Sequence, residues 1–209
     1  MLIPLHTLRT RFNVRPRGVL HIGANVGEEA ESYYRNNVTK VIWIEGNHEL
    51  REQLEKNISK YQGQKAYIQC VGDEDKDTVL HISNNASQSS SVFDLGTHKT
   101  AHPEVHFIKD IPVRMRRIDD MFASDEWGAL KDVDFLNIDL QGAELMALRG
   151  MGNLLKQFKW AYLEVNKEHL YENCPLVEDI DLYMLSYGFR RVVTEWAGNT
   201  GWGDACYSR

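Results

Sequence analysis

The segment Gly18-Val19-Leu20-His21-Ile22-Gly23-Ala24-Asn25-Val26-Gly27 joins a short apolar run to a glycine-bounded turn. An apolar run of this length that stops at glycine reads as a buried strand. A helical stretch is expected next, over 28–36, then a second strand at Lys40-Val41-Ile42-Trp43-Ile44-Glu45. Gly46-Asn47 leads into a helix whose Leu50, Leu54, Ile58 and Tyr61 recur at spacings of four, four and three. That is the apolar stripe of an amphipathic helix, and Asn47 suits its N-cap. A third strand is expected over 66–71. The order βαβαβ places helices as crossovers between parallel strands, which predicts a doubly wound α/β sheet.

Downstream, residues 73–117 break the alternation and read as an insertion of β or irregular character. Thr78-Val79-Leu80-His81-Ile82 looks like a strand, 84–91 is a serine-rich loop, and Pro103 and Pro112 exclude a long helix. The alternation resumes with a strand over 134–139, a helix over 142–158 and a strand over 160–165. Pro175 suits the first turn of the following helix, which carries Val177, Ile180 and Met184. The chain closes on two strands, 189–196 and 202–207, joined by Ala197-Gly198-Asn199-Thr200-Gly201 as a hairpin. No repeat or linker divides the chain, so one domain over 1–209 is expected.

Composition limits the function classes. The 209 residues are 43% apolar and 26% charged, which are ordinary globular values and exclude a disordered chain. A formal net charge of −6 disfavours nucleic acid as a partner. Cys70, Cys174 and Cys206 lack disulfide or zinc spacing, and predict two buried thiols and one exposed. There is no apolar run of signal-peptide or membrane-spanning length. A cytoplasmic protein with no membrane partner is therefore expected, and its three Asn-x-Ser/Thr sequons carry no meaning.

The chemistry concentrates at strand ends. Gly23 and Gly27 flank a turn before a helix, where free N–H groups meet ligands. Glu45 lies 22 residues after Gly23, where a carboxylate accepts both ribose hydroxyls of a nucleoside cofactor. A dinucleotide fingerprint requires glycine where Asn25 stands. The turn therefore fits a nucleoside without pyrophosphate, such as S-adenosylmethionine, better than NAD. The plainer reading is a tight turn beside a solvated Glu45.

At this point the sequence resembles a known family. Val19 to Gly27, Glu45, Ser89-Ser90-Ser91, Arg117-Ile118-Asp119-Asp120, Asp134-Phe135-Leu136-Asn137-Ile138-Asp139-Leu140-Gln141-Gly142-Ala143-Glu144 and Leu148-Arg149-Gly150 are similar to the FkbM family of S-adenosylmethionine-dependent methyltransferases. The resemblance implies a Rossmann-like, mostly parallel, seven-stranded class I methyltransferase sheet and O-methylation of a sugar or natural product. It implies a cofactor site of His21, Gly23, Ala24, Asn25, Gly27, Glu45, Gly46, Asn47 and Asp139, with Val71 and Gly72 edging the adenine by analogy of fold. Two departures stand out. The family often has Asp at the place of His21 and Lys at the place of Asn137.

Asp139 ends a core strand at the carboxyl edge, where open α/β sheets place ligands. Methyl transfer to a hydroxyl requires an oriented acceptor and a proton acceptor. Asp139 and Glu164, on adjacent strands, are candidates to share that work or to hold a divalent metal through oxygen, although no metal spacing appears. His169 is the best placed of the loop histidines His98, His102, His106 and His169, which otherwise read as surface residues. Plainer roles are an N-cap for Asp139 and a helix-dipole partner for Glu144. Lys109, Arg114, Arg116 and Arg117 form a basic cluster that either holds an acidic acceptor or decorates an edge strand. The serines at 87–91 read as a lid or a plain turn, and Trp196, Trp202 and Tyr207 as packing or a sugar platform. The expected function is O-methylation of a sugar or small hydroxylated molecule. The rivals are an NAD-dependent oxidoreductase and a non-catalytic nucleoside-binding module. No separate substrate domain fits the length. The acceptor therefore falls to the insertion, the segment after Glu164 and a second subunit, should the chain pair with itself.

Overall fold

A computed structural model describes residues 1–123 and 130–209. Its strands are β1 (Gly18–Ile22), β2 (Lys40–Glu45), β3 (Gln64–Ile68), β4 (Cys70–Gly72), β5 (Lys76–Ser83), β6 (Phe107–Arg117), β7 (Phe135–Ile138), β8 (Trp160–Asn166), β9 (Arg190–Trp196) and β10 (Trp202–Ser208). The helices are α1 (Leu5–Arg11), α2 (Ala30–Arg35), α3 (Arg51–Ile58), α4 (His98–Ala101), α5 (Ile118–Ala123), α6 (Glu144–Met151) and α7 (Val177–Ser186). Seven strands form the main sheet in the order β3-β2-β1-β7-β8-β10-β9, and β4-β6-β5 form a second, three-stranded sheet. The first five strands of the main sheet run parallel, and the β9–β10 hairpin is antiparallel. The predicted α/β architecture is the one observed.

Both faces of the main sheet are covered, which is why β1 is buried along its whole length and reads as an unbroken apolar run. On one face Leu5 and Leu8 of α1, Tyr33 of α2, and Leu54 and Ile58 of α3 pack with Val19, Trp43 and Phe135. On the other, Ile118, Leu148, Met151, Ile180 and Met184 from α5, α6 and α7 pack with Leu20, Ile22, Leu136 and Leu163.

Several boundaries differ from expectation. The stretch 66–71 is not one strand. β3 ends at Ile68, Gln69 still donates its N–H to the Glu45 carbonyl at 2.7 Å, and Cys70 then opens β4 beside β6. The Gln69 amide reaches the carbonyls of Cys70 at 3.0 Å and Arg114 at 2.5 Å, pinning the switch between sheets. The insertion is therefore an ordered sheet that begins at Cys70. Helix α2 is shorter than predicted because residues 28 and 29 remain in turns. The helix expected over 142–158 starts at Glu144 and passes into a 3-10 turn at Gly152. Gly152 holds φ +48°, and a Cβ there would lie 2.8 Å from the Asp119 carboxylate. Pro175 precedes α7, whose cap is Leu176. Helices α1, α4 and α5 are too short for periodicity to reveal. All three cysteines are free and buried, against the one exposed thiol expected.

The departures at His21 and Asn137 occupy paired positions on β1 and β7. The Asn137 amide donates to the Tyr33 hydroxyl at 2.8 Å, and His21 Nδ1 lies 3.1 Å from that hydroxyl. The Asn137 amide also lies 3.4 Å from Nδ1, so the three side chains form one neutral network in which hydroxyl and imidazole share a proton, its owner set by the ring tautomer. His21 also stacks on Trp43 at 4.6 Å between ring centroids. Burial lowers its pKa to about 4, with Glu29 opposing. A depressed histidine pKa means the unfolded chain binds the proton more tightly, so stability is full above pH ~6.5 and is lost as pH falls toward 4. In urea titrations, wild type should lose roughly 3 kcal/mol relative to His21→Gln between pH 7 and pH 4. A stability difference that stays constant over that range would remove the buried neutral imidazole from the account.

Candidate active site

A cavity of about 570 Å³ opens at the carboxyl ends of β1, β2, β7 and β8, roofed by the insertion. Its size is that of a small-molecule site, ~300–1,000 Å³. The glycine turn forms one wall. Gly23 and Ala24 donate to the Ile44 carbonyl at 2.9 and 3.0 Å, which ties the turn to β2. Gly23 has φ +83°, and a Cβ on it would lie 1.7 Å from the Asp139 carbonyl oxygen. Only glycine allows β1 and β7 to converge here.

Glu45 ends β2 under this turn. Its Oε2 accepts from the Asn25 N–H and its Oε1 from the Asn47 N–H, both at 2.7 Å. Burial pushes its pKa up to about 7 against those N–H donors. Each oxygen keeps a second lone-pair site for a hydroxyl. Beside it, Cys70, Val71 and Leu80 give the cavity an apolar wall, with Cys70 and Leu80 packed within 3.7 Å of where a Gly46 Cβ would sit. Asn47 caps the first turn after β2 through the Glu49 N–H at 3.0 Å, as its residue type predicts. The Asn25 amide donates to the Ala86 carbonyl at 3.2 Å, joining the turn to the serine loop.

The far wall is carboxylic. The Gln141 amide nitrogen donates to Asp139 Oδ1 and Glu164 Oε2, both at 2.7 Å, while its oxygen accepts from the Tyr171 hydroxyl at 2.7 Å. Gln141 adopts φ +52°, and its carbonyl accepts from Ser91 Oγ at 2.7 Å. Asp139 opens onto the cavity, whereas Glu144 and Glu164 are buried. Enclosure by the cavity walls raises Asp139 to about 6, opposed by the Gln141 amide. Glu164 rises well above the usual carboxylate range through burial and then the charges of Asp139 and Glu144. Glu144 rises to about 7 through burial, opposed by backbone N–H groups.

Of the sequence candidates, His21, Gly23, Ala24, Asn25, Glu45, Gly46, Val71, Asp139 and Glu164 line this cavity. Gly27 packs instead toward Leu54 and Ile58, Asn47 acts as a cap, and Gly72 lies against Met115. His169 is not brought in. Its Nδ1 meets the Cys174 carbonyl at 2.8 Å, and it borders a separate depression with Leu145 and Arg149. Asp139 does not cap α6, whose cap position is Ala143. Glu144 binds the Leu140 and Gly142 N–H groups at 2.9 and 3.1 Å, so it closes the loop before α6 as well as facing the helix dipole. Three members of the basic cluster are held in ion pairs with carboxylates. Arg117 holds Asp119 at 2.6 Å, Arg114 holds Asp77 at 3.3 Å, and Lys109 pairs with Glu49.

Residue type alone did not reveal Gln141 or Tyr171, and it offered a site role for His98 and Trp202 only as one of two readings each. His98 was read as a surface residue, yet it is 5% exposed and lines the cavity with His102 and Glu104. Its segment is stitched to the stretch after β8 by the Gly96 and His98 N–H groups, which donate to the Leu170 carbonyl at 2.7 and 3.1 Å. A signal for Gln141 did exist, in its place between Asp139 and Glu144.

The comparisons agree with this geometry. A family model described as the methyltransferase FkbM domain matches residues 21–191. The 2-O-methyltransferase NoeI of Sinorhizobium fredii (strain NBRC 101917 / NGR234) is 24% identical over 172 residues, which are 78% of this chain and 70% of that protein. Two solved structures share the fold. A SAM dependent methyltransferase from Aquifex aeolicus gives a TM-score of 0.51 at 13% identity, over 98% of this chain and 88% of that one. The fibrillarin of Aeropyrum pernix, solved with natively bound S-adenosyl-L-methionine, gives 0.53 at 9% identity, over 99% and 73%. Among the described residues no helix is long and apolar enough to cross a membrane. With a family model covering most of its length and the glycine turn, Glu45 and the Asp139 segment meeting at one cavity, the chain belongs to the methyltransferase FkbM domain family and is an S-adenosylmethionine-dependent methyltransferase.

Proposed function

We propose that this protein methylates a hydroxyl of a sugar or a similarly polyhydroxylated small molecule. The observation that carries this reading is that Glu45 and the Asp139–Gln141–Glu164 centre line one cavity, whose outer wall is rich in hydroxyl and amide groups. Asn85, Ser87, Gln88, Ser89 and Ser90 come from the insertion, and Tyr171 and Trp202 add aromatic rings. Such a lining suits a ligand with many hydroxyls and apolar ring faces. The relative NoeI is named a 2-O-methyltransferase, which supports an oxygen acceptor.

The residues present fit S-adenosylmethionine. Glu45 would hold the ribose hydroxyls, Val71 and Leu80 would flank the base, and the turn of Gly23, Ala24 and Asn25 would border the methionine portion. When bound, S-adenosylmethionine supplies a methyl group on a sulfonium, with neutral sulfur as the leaving group. The protein's own work is then to align the acceptor oxygen with that methyl and to receive the hydroxyl proton. A bond forms from oxygen to the methyl carbon as the carbon–sulfur bond breaks, its electron pair staying on sulfur. Asp139, open to the cavity and braced by Gln141, is placed to orient the hydroxyl and take its proton. Glu164 shares the same amide nitrogen and supports that orientation.

Two measurements test the reading. In calorimetric titration with S-adenosylhomocysteine, Glu45→Ala should weaken binding by at least tenfold, about 1.4 kcal/mol. Wild-type affinity in the variant would remove Glu45 from the ribose, and tighter binding of NAD by the wild type would favour the oxidoreductase. Against a panel of free sugars and glycosides, wild type should release S-adenosylhomocysteine with at least one member, while Asp139→Asn should lower kcat by about 10²–10⁴-fold. Cofactor binding without turnover on any hydroxylated compound would favour the non-catalytic module.

A further inference from the structure

We propose that Asp139, Glu144 and Glu164 form a binding site for one divalent cation of the oxygen-preferring class. This goes beyond cofactor and acceptor class and does not depend on the acceptor being a sugar. One ligating atom from each of the three lies within 4.8 Å of the other two. A calcium ion holds its oxygens at ~2.3–2.6 Å, so opposed ligands stand ~4.6–5.2 Å apart, and magnesium would require a slightly tighter set. The ligand set contains only carboxylate oxygen, which selects Mg²⁺, Mn²⁺ or Ca²⁺ over zinc or copper.

Hydrogen bonding within the site points to a missing positive partner. Glu144 is 0% exposed. Its Oε1 is satisfied by the Leu140 and Gly142 N–H groups, yet its Oε2 meets no donor at all. Buried carboxylate oxygens without a donor are rare, and a proton, a water or an ion is what meets them. Asn166 adds a second buried oxygen without a donor, its Oδ1. It lies two residues beyond Glu164 on β8, hence on the same face of the strand, is fully buried, and has no partner for either amide atom. Asp139 and Glu164 each give one oxygen to Gln141, which leaves Asp139 Oδ2 and Glu164 Oε1 for an ion. Among the described residues no lysine or arginine bonds any of the three carboxylates. The site adjoins the cavity, since Asp139 and Glu164 both line it. An ion there would be reachable by an acceptor hydroxyl and would acidify it as a Lewis acid. Asp139 Oδ1, which takes one hydrogen bond from Gln141, would keep its second lone pair to receive the proton.

The test uses the whole chain and the metal alone. Wild type freed of metal by EDTA and then dialysed should take up one equivalent of Mn²⁺, read as loss of the free-ion electron paramagnetic resonance signal, and Ca²⁺ should compete for it. Mn²⁺ should also raise Tm. Glu144→Gln keeps an oxygen for the Leu140 and Gly142 N–H groups and should fold with a wild-type circular dichroism spectrum, while Mn²⁺ affinity falls at least tenfold. Glu164→Gln should do the same. Absence of Mn²⁺ and Ca²⁺ uptake by wild type at millimolar concentration, or uptake unaltered in both folded variants, overturns the proposal and leaves shared protons as the state of the cluster. Titration of the metal-free protein with S-adenosylhomocysteine is the separate control. Its failure would count against the cofactor site and not against the cation.

Discussion

The arrangement rests on one constraint: three buried carboxyl groups, Glu45, Glu144 and Glu164, and a fourth, Asp139, that opens onto the cavity are gathered at the carboxyl edge of one sheet. Glu45, Asp139, Glu144 and Glu164 all have pKa values raised by burial. Burying such groups is costly unless donors or counter-charges meet them. The backbone supplies most of the donors. Asn25 and Asn47 serve Glu45, and Leu140 and Gly142 serve Glu144. The N–H groups of Asn25, Leu140 and Gly142 point inward because the loops after β1 and β7 turn sharply, at Gly23, Asn25, Gln141 and Gly142, all with positive φ. The loop conformations and the acidic chemistry therefore depend on each other. A loop that relaxed would strand a carboxylate, and a carboxylate removed would free a loop.

A second, neutral network lies under the first. The family resemblance implies charged residues where His21 and Asn137 stand, and the structure puts these two in register on neighbouring strands. Read singly, each departure suggests a damaged site. Read together, they are a compensated change, because Asn137, Tyr33 and His21 satisfy one another without net charge. The floor of the cavity thus carries no fixed charge from this pair. The charge at the cavity comes instead from the acidic centre and from Glu28, Glu29, Asp204 and the Met1 ammonium, which also line it.

How much of this was legible in the sequence follows from the range of the interactions involved. The main sheet could be read because each of its strands carries its own signal, an apolar run bounded by glycine or by an amphipathic helix. Glu45 and Asp139 could be read because they end such runs. The split at Gln69 could not, since the residue leaves β2 for β6 through contacts with Arg114, 45 positions away. His98 and Tyr171 join the site only when the insertion is stitched to the segment after β8, through Leu95, Gly96 and Leu170. His169 misled for the same reason. Nearness in sequence to Glu164 suggested the cavity, but the bond to the Cys174 carbonyl holds its ring at a different surface.

The insertion shows why cofactor class was easier to read than acceptor. The side proposed for the cofactor is built from the ends of β1 and β2 and the loops that follow them, so its residues are fixed by the same pattern that fixes the sheet. The side proposed for the acceptor is built by packing a three-stranded sheet and its loops over the open edge. Its serines, asparagine and histidines are ordinary loop residues until that packing aims them inward. Ser91 illustrates the coupling, because its hydroxyl holds the Gln141 carbonyl at 2.7 Å while its own backbone pairs with His81 of β5. One residue therefore ties the wall that meets the acceptor to the amide that holds Asp139 and Glu164. A change in the insertion would alter not only which acceptor enters but also how the carboxyl centre is aimed at it. Selectivity and rate should consequently move together in variants of this segment.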